Sequence, residues 1–263
     1  MTPTSPATAQ THPMRLLVGA VDLFPALVEA IDAAKHEVRL ETYIFSMAGA
    51  GADVLAGVAA QMAEVRDALD AQAADAAARV ARIDAGEVQF DAAGFAALTA
   101  ETRRRLLLAA VMWVSSAEYG PRGGDLVRLR DAVAAGRDAT LAGVRVTHAK
   151  GAVRLGREAR AVRGVAVAAD EIWDGRWQAT GGDHKGLTLA ALGDEGLRLC
   201  PDWRATGLAR ATLLAAPALW RDGELVAAPL AGLAQGWRLD CAAPRGVLAA
   251  AAGVRQDSSA LSH

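Results

Sequence analysis

Apolar residues in the first third of the chain follow the patterns of a short β-α-β unit and a long helix. Residues 15–20 and 37–45 have strand-like patterns, and the second run alternates apolar and polar side chains. Between them, residues 22–34 place their apolar side chains on one face of a predicted helix. From Asp53 apolar residues step by three and four, which predicts a helix of about thirty residues that ends just before Gly86.

A second helical block is predicted after residue 90. Asp91 and Thr99 have side chains suited to N-caps, and residues 99–115 have a helical pattern in which Glu101 and Arg105 stand four apart. Asp125 is predicted to cap a further helix at residues 126–135, with Gly136 at its C-terminal end.

The apolar period changes from helical to strand-like after about residue 139. Short alternating runs around Lys150-Gly151 predict a hairpin, and two Asp-Gly pairs have the residues that type I′ turns require. A further helix is predicted within residues 202–220. The two Asp-Gly turns are Asp174-Gly175 and Asp222-Gly223.

These elements together predict an α+β fold built from successive segments. The predicted segments are a disordered leader at 1–13, a β-α-β unit at 14–52, a helical linker and binding domain at 53–138, a mixed α+β domain at 139–245 and a frayed tail at 246–263.

The net charge of −2 hides a strong asymmetry along the chain. Residues 53–101 have a net charge of −6, whereas residues 102–163 have a net charge of +8, and 25 of the 28 basic residues are arginine. A local excess of this size attracts polyanions. The alternative is that these arginines form solvated helix faces and pair with the acidic segment upstream.

Composition excludes several classes of protein. An apolar share of 52% is too high for a disordered chain, and two cysteines form neither a disulfide framework nor a four-ligand zinc site. The N-terminal residues do not resemble a secretory signal. Uncharged stretches such as Leu106–Ala117 are too short to span a membrane. We therefore expect a cytoplasmic protein without a membrane span.

Three short motifs invite a catalytic interpretation, but none is complete. His148-Ala149-Lys150 begins an H-x-K-x4-D phosphodiesterase motif, yet Leu155 stands where the aspartate belongs, so a polar hairpin turn is favoured. The segments 180–185 and 122–125 lack the spacing of a phosphate-binding loop and the Ser-Gly-Gly-x-Asp-Ser pattern. No catalytic or metal-binding residue is predicted.

Arginines in and after the basic segment are candidates for a binding role. Arg103, Arg104 and Arg105 begin a helix, where cations are unfavourable unless they meet an external anion or pair with Glu101 and the acidic helix. Around Trp203, a structural cap is the favoured alternative to a binding site. The candidate anion contacts are Arg103, Arg104, Arg105, Arg122, Arg128, Arg130 and Arg204.

The first segment resembles one known family and the remainder resembles another. Residues 14–52 (MRLLVGAVDLFPALVEAIDAAKHEVRLETYIF and the residues after it) are similar to the N-terminus of phospholipase D and cardiolipin synthase-like proteins. In that family this segment is scaffold, and the catalytic H-x-K-x4-D copies come later. Because neither copy is complete here, the resemblance does not imply phosphatidyl transfer.

Residues from about 55 to 245 resemble the C-terminal part of bacterial tRNA(Ile)-lysidine synthetase. The stretches that carry the resemblance are ETRRRLLLAAVMWVSSAEYGPRGGDLVRLRDAVAAGRDATLAGVRV, GREARAV, WDGRW and LCPDWRATGLARATLLAAPALWRDGELVAAPLAG. That family uses ATP and Mg to adenylate a wobble cytidine of tRNA and then couples lysine to it. The adenylating site lies in an N-terminal PP-loop domain, and the regions resembled here grip the tRNA.

The resemblance implies a tRNA-binding portion of a lysidine synthetase that lacks the PP-loop domain and is inactive alone. It implies tRNA rather than DNA as the partner, makes residues 53–138 a tRNA-binding domain, and leaves no cofactor in this chain. Self-association through the helical domain is also expected. Two alternatives stay open, namely a fragment of a phospholipase D-like phosphatidyltransferase and a non-functional fusion whose two parts meet near residues 48–54.

Overall fold

The structure is a computed structural model, and it describes residues 25–29 and 50–255. The chain divides into two compact units, Met1–Asp67 and Ala68–His263. Residues 25–29 are helical (α1), within the helix predicted at 22–34. The strands predicted at 15–20 and 37–45 lie outside the described residues.

The predicted long helix is present as α2, Ala50–Val80, but it ends earlier than expected. Strand β1, Ala81–Asp84, follows at once, and a turn at Ala85-Gly86 leads into β2, Glu87–Asp91. Both turn residues have positive φ, 49° and 75°. The prediction that Gly86 caps the helix is therefore wrong, because Ala81–Asp84 pairs with β2 and the glycine serves the hairpin turn.

Three helices follow, and their ends show how local side chains set them. Asp91 caps α3, Ala92–Ala96, by accepting the Gly94 N–H at 2.6 Å, and Thr99 caps α4, Ala100–Ser115, by accepting the Thr102 N–H at 3.2 Å. Both predicted caps are confirmed.

Helix α5, Gly123–Ala134, differs from the prediction at one end only. Its N-cap is Arg122, so Asp125 lies in the first turn and does not cap the helix, because the chain already turns helical at the flexible Gly123-Gly124 pair. At the other end Gly136 has φ 64°, and its N–H and that of Arg137 bond back to the last helical turn. The predicted C-terminal glycine is confirmed.

A six-stranded sheet carries these helices. Its order is β12-β1-β2-β5-β4-β3, and β1 pairs with β12 in parallel while the other neighbours pair antiparallel. The hairpin predicted at Lys150-Gly151 joins β4 to β5 and is confirmed. The new strands are β3 (Ala139–Leu141), β4 (Val144–Ala149), β5 (Ala152–Arg157) and β12 (Ala252–Arg255).

The segment predicted as a frayed tail is ordered over its first ten residues. Gly246–Leu248 forms a 3-10 turn whose Leu248 is fully buried, and Ala252–Arg255 is strand β12. The prediction of a frayed tail is therefore wrong for residues 246–255. Leu248 is part of the hydrophobic core, and β12 pairs with the edge of β1 that β2 does not occupy. Residues 256–263 lie outside the described residues.

The first hydrophobic core lies between this sheet and the helices. Phe90 on β2, Leu155 on β5 and Leu107 on α4 are fully buried, and α2 contributes an alanine face through Ala73, Ala76 and Ala77. Small side chains allow close approach of a helix to its neighbours, which explains why the apolar face of α2 changes to alanine in its second half.

Residues 166–241 form two smaller sheets. A four-stranded sheet has the order β10-β9-β8-β6, and a two-stranded sheet pairs β11 with β7. Buried Trp173, Trp177 and Trp237 dominate the core of this second region. Its strands are β6 (Ala166–Ala168), β7 (Trp177–Thr180), β8 (Thr188–Ala191), β9 (Pro217–Arg221), β10 (Glu224–Ala227) and β11 (Arg238–Cys241).

Turns and short helices complete this second region. Both predicted Asp-Gly turns are confirmed, since Asp174-Gly175 and Asp222-Gly223 have positive φ at both positions. Within residues 202–220 the predicted helix is short, because Trp203–Thr206 is a 3-10 turn and β9 begins at Pro217. The helices here are α6 (Gly193–Arg198) and α7 (Arg210–Leu214). The predicted α+β class is confirmed.

Candidate functional site

The three arginines at the start of α4 have different partners. Arg104 donates twice to Glu101, with both distances 2.7 Å, and Arg105 donates to Glu101 at 2.9 Å and to Asp70 of α2 at 2.5 Å. Arg103 donates instead to the carbonyl oxygen of Ala96 at 3.1 Å. Of the two alternatives for this cluster, pairing with Glu101 and the acidic helix is present for Arg104 and Arg105.

These ion pairs change the titration of the groups involved. The hydrogen bond from Arg104 lowers the pKa of Glu101 below its ordinary value, with a smaller contribution from Arg105. The same contact raises the pKa of Arg104. Glu101 therefore stays ionised and holds the two guanidinium groups in place on the first turn of α4.

The arginines of α5 are more exposed. Arg122 is exposed and makes no side-chain hydrogen bond or ion pair with a described residue. Arg128 pairs with Asp125, and Arg130 pairs with Asp131 at 3.0 Å. Because α5 packs against α4, the structure places these arginines and the α4 cluster in one helical layer.

Arg204 belongs to a different part of the fold. Its guanidinium lies 4.4 Å from the ring centroid of Trp203, on the 3-10 turn Trp203–Thr206 of the second region. Trp203 packs against a small apolar cluster that includes Leu192 and Leu213. The packed tryptophan favoured for this segment is thus present, whereas the expected cap is not, because Asp202 makes no capping hydrogen bond with its side chain. The stacked arginine remains exposed.

Much of the basic segment is balanced by carboxylates within the structure. Asp70, Glu87 and Glu101 are partners from the acidic segment upstream, as one alternative expected, and the other partners lie within or after the basic segment. The arginines of residues 102–163 that form ion pairs are Arg104, Arg105, Arg128, Arg130, Arg145, Arg154, Arg157 and Arg160. Arg128, Arg130 and Arg160 pair with carboxylates that the net charge of +8 already counts. Only the partners outside residues 102–163 make the local field weaker than that net charge indicates, and these are Asp70, Glu87, Glu101 and Asp174.

A surface cleft borders the α4 arginines. It has a volume of about 760 Å³ and lies between α4 and residues 242–247; we call it the α4 cleft. Arg104, Arg105 and Trp113 line it from α4, and Arg245 lines it from the facing segment. Trp113 joins the two walls, since its Nε1 donates to the carbonyl oxygen of Ala242 at 3.2 Å.

Arg176 forms part of the floor of the α4 cleft. The residue is 5% exposed, and Nη1 donates to the carbonyl oxygen of Gly86 at 2.6 Å. Its guanidinium lies 5.1 Å from the ring centroid of Trp113 and 5.9 Å from that of Trp177. Burial lowers the pKa of Arg176, and the nearby Asp174 opposes that shift. Sequence reasoning missed Arg176 and Arg245, because only folding brings them to α4.

A buried carboxylate joins the six-stranded sheet to the second region. Glu87 of β2 is 3% exposed and accepts from Thr212 of α7 at 2.6 Å and from Arg154 of β5 at 3.2 Å. Arg145 of β4 lies 3.5 Å away. Gly156 leaves room for this carboxylate, since a Cβ there would lie 2.3 Å from its Oε1. No sequence signal pointed to Glu87.

Residues of the incomplete catalytic motifs make packing and polar contacts within the fold. His148 lies beside Asp138, with 3.4 Å between Nδ1 and Oδ1, and Leu155 is fully buried in the core. In the loop 180–185, His184 packs edge-on against Trp237.

Among the described residues, no group of three His, Cys, Asp or Glu side chains is arranged to hold a metal ion. No helix within the same residues is long and apolar enough to cross a membrane.

Comparison with known proteins supports one of the two resemblances. This chain is similar to a tRNA(Ile)-lysidine synthase. The relative is from Ruegeria pomeroyi and is 44% identical over 189 residues, which are 72% of this chain and 45% of that protein. The chain therefore spans about half the length of this lysidine synthase. No family model and no solved structure matches the chain. The phospholipase D-like character of residues 14–52 stays a prediction.

Proposed function

We propose that this polypeptide holds tRNA as the RNA-binding portion of a lysidine synthase-type ligase. The observation that carries the proposal is the 44% identity, over 72% of the chain, to a protein named for modifying tRNA(Ile). The corresponding partner is tRNA rather than DNA, and the corresponding compartment is the cytoplasm.

Arginines that are exposed, or that are half-buried but lack a carboxylate partner, would supply the first contacts to phosphate. Arg103, Arg122 and Arg204 have no carboxylate partner among the described residues, so they can pair with phosphate without breaking an existing ion pair. Arg128 has a partner, but its side chain is 77% exposed, and an exposed pair of this kind contributes about 0–1 kcal/mol. The proposed phosphate contacts are Arg103, Arg104, Arg105, Arg122, Arg128, Arg130 and Arg204.

The proposal excludes lysine ligation by residues 1–263 alone. Residues 1–263 contain no Ser-Gly-Gly-x-Asp-Ser pattern. The two nearest segments, 122–125 and 180–185, are the first turn of α5 and a surface loop. ATP and Mg would therefore act at a PP-loop domain supplied by other residues. Within the proposal, residues 53–138 and 139–245 both serve tRNA, whereas the phospholipase D-like segment 14–52 contributes no catalytic group.

The test is equilibrium binding of a tRNA transcript at several salt concentrations. Phosphate contacts release counterions, so the logarithm of the association constant should fall linearly with the logarithm of salt concentration. Changing Arg103, Arg122 and Arg204 together to Gln should reduce the slope by about one for each lost contact and weaken different tRNAs equally. Arg221→Gln, at an exposed arginine of β9, is the matched control and should leave the slope unchanged.

Two results would contradict the proposal. An affinity that does not change between low and moderate salt would exclude phosphate contact. Formation of lysidine by the purified chain with ATP, Mg and lysine would show that the ligase activity is present after all.

The fusion alternative makes a different prediction, namely cleavage near residues 46–54 in limited proteolysis together with no tRNA binding. Self-association through residues 53–138 stays a prediction.

A further inference from the structure

The α4 cleft combines cationic and flat apolar surfaces in one concave site. Arg104, Arg105, Arg176 and Arg245 line it, and Asp70 is its single acidic lining residue. Leu108, Met112 and Trp113 supply the apolar surface from one face of α4. A ligand that matches both surfaces carries an anionic group next to an apolar group, and a planar ring suits the Trp113 indole.

Not all of these arginines are equally available to a ligand. Arg105 is held by Glu101 and Asp70, and Arg176 is buried and bonded to Gly86. Arg245 is exposed and makes no ion pair with a described residue. Arg104 is more exposed than Arg105, but its Nε and Nη2 are bonded to Glu101, which leaves Nη1 for a ligand. The accessible positive charge at the cleft is therefore mainly that of Arg245, with Arg104 beside it.

The aromatic surface is fixed before any ligand arrives. Arg176 lies against the Trp113 ring, and the bond from Trp113 to Ala242 ties that ring to the facing segment. A ring held in this way loses little further conformational freedom when a ligand stacks on it. The cleft volume of about 760 Å³ also falls in the range of about 300–1,000 Å³ that is typical of ligand pockets.

We propose that the α4 cleft binds one unpaired nucleotide of an RNA strand. Its phosphate would lie at Arg245 and Arg104, and its base would lie against Leu108, Met112 and Trp113. The identification of the strand as RNA rests on the proposed function. An unpaired nucleotide is required because a base within a duplex has both faces covered by its neighbours, whereas a loop or an end can present its base to side chains.

Two variants test the cleft without touching Trp113, whose replacement would separate the walls. Ala243 is exposed and lines the cleft, so Ala243→Glu places a negative charge inside it. Arg245→Gln removes the accessible positive charge. The matched controls are Ala249→Glu and Arg163→Gln, at exposed residues that do not line the cleft.

The measurement is fluorescence anisotropy of the full chain with three probes, namely a single-stranded RNA pentanucleotide, a short RNA duplex and a tRNA transcript. Ala243→Glu should weaken pentanucleotide binding about tenfold, because its carboxylate repels the phosphate and occupies space in the cleft. Arg245→Gln should weaken it about threefold, because one phosphate contact is lost. Each control should change pentanucleotide affinity less than about twofold. All four variants should change the affinity for the duplex by less than about twofold.

Each alternative outcome has a distinct meaning. If tRNA binds the wild type but the pentanucleotide binds all variants equally, the cleft inference is wrong and the proposed function stands. If Ala243→Glu and Arg245→Gln weaken the duplex as much as the pentanucleotide, the site senses only backbone charge, and the assignment to an unpaired nucleotide is wrong. If no RNA binds at all, the proposed function fails and this inference fails with it.

Discussion

Glu87 shows how one side chain can join two parts of a fold. Its carboxylate is buried, and it accepts hydrogen bonds from Thr212 and Arg154 while Arg145 lies nearby. These partners come from α7, β5 and β4, so the residue connects the six-stranded sheet to the second region. Removing one member of a buried charged cluster leaves the others without compensation, which is strongly destabilising.

We expect Glu87→Gln to lower the free energy of unfolding by about 2–3 kcal/mol, because Arg154 and Arg145 lose their shared anion. Glu224→Gln is the control, since Glu224 is exposed on β10, and it should change that free energy by less than about 0.5 kcal/mol. Urea unfolding followed by circular dichroism measures both. Equal midpoints for the two variants would show that the cluster adds no stability.

Cys241 provides a second test at the level of one residue. Burial raises the pKa of its thiol from 9.0 to about 11, although the guanidinium of Arg176 opposes the shift. The folded state therefore favours the neutral thiol. This contribution to stability is fully present below pH 9, the unfolded value, and is lost as pH rises through about 11.

At pH 8 the thiolate fraction of Cys241 should be about a hundredfold below that of an ordinary cysteine, since the pKa differs by about two units. Iodoacetamide labelling followed by mass spectrometry should show a correspondingly slow reaction in the native protein. The same protein in guanidinium chloride is the control and should react at the ordinary rate. Native labelling within about threefold of that control would contradict the assigned burial.

At the scale of elements, the first turn of α4 is stabilised by side chains within a few positions of its start. Thr99 Oγ1 accepts the Thr102 N–H and also lies 2.8 Å from the Thr102 hydroxyl, which is buried. At the same turn Glu101 draws Arg104 and Arg105 into place. The first turn of α4 is therefore held by a neutral cap and by a charged pair of contacts.

Thr99→Ala should lower the free energy of unfolding by about 1 kcal/mol, because an N–H at the helix start loses its acceptor. Thr99→Ser should retain most of that stability, since its hydroxyl can take the same role. Thr140→Ala, at an exposed threonine of β3, serves as the control for loss of a threonine side chain. Thermal unfolding is the measurement, and a Ser variant as weak as the Ala variant would exclude capping as the cause.

At the scale of the whole molecule, the described hydrophobic clusters draw on residues from Ala73 to Leu248. A fragment of residues 50–263 contains all of them. We therefore expect its urea midpoint to match that of the full chain within about 0.3 M, which corresponds to less than about 1 kcal/mol at typical denaturant slopes. A clearly lower midpoint would show that residues 1–49 stabilise the fold.

Elements whose signals are local were predictable from the sequence. The caps at Asp91 and Thr99, the terminal Gly136 and the Asp-Gly turns each depend on residues within a few positions, because a cap or a turn is closed by its own side chain and backbone. The similarity to a lysidine synthase was likewise readable, since it is a property of residue order.

Features that join distant residues were decided only by the tertiary structure. Ala81–Asp84 continues the period of the long helix, yet pairing with β2 and β12 makes it a strand. Arg105 and Asp70 meet across 35 positions, and Glu87 and Thr212 meet across 125. The α4 cleft likewise exists only where Arg245 and Arg176 come to face Trp113. Such contacts depend on how sheets and helices pack, and the spacing of residues along the chain does not predict that packing.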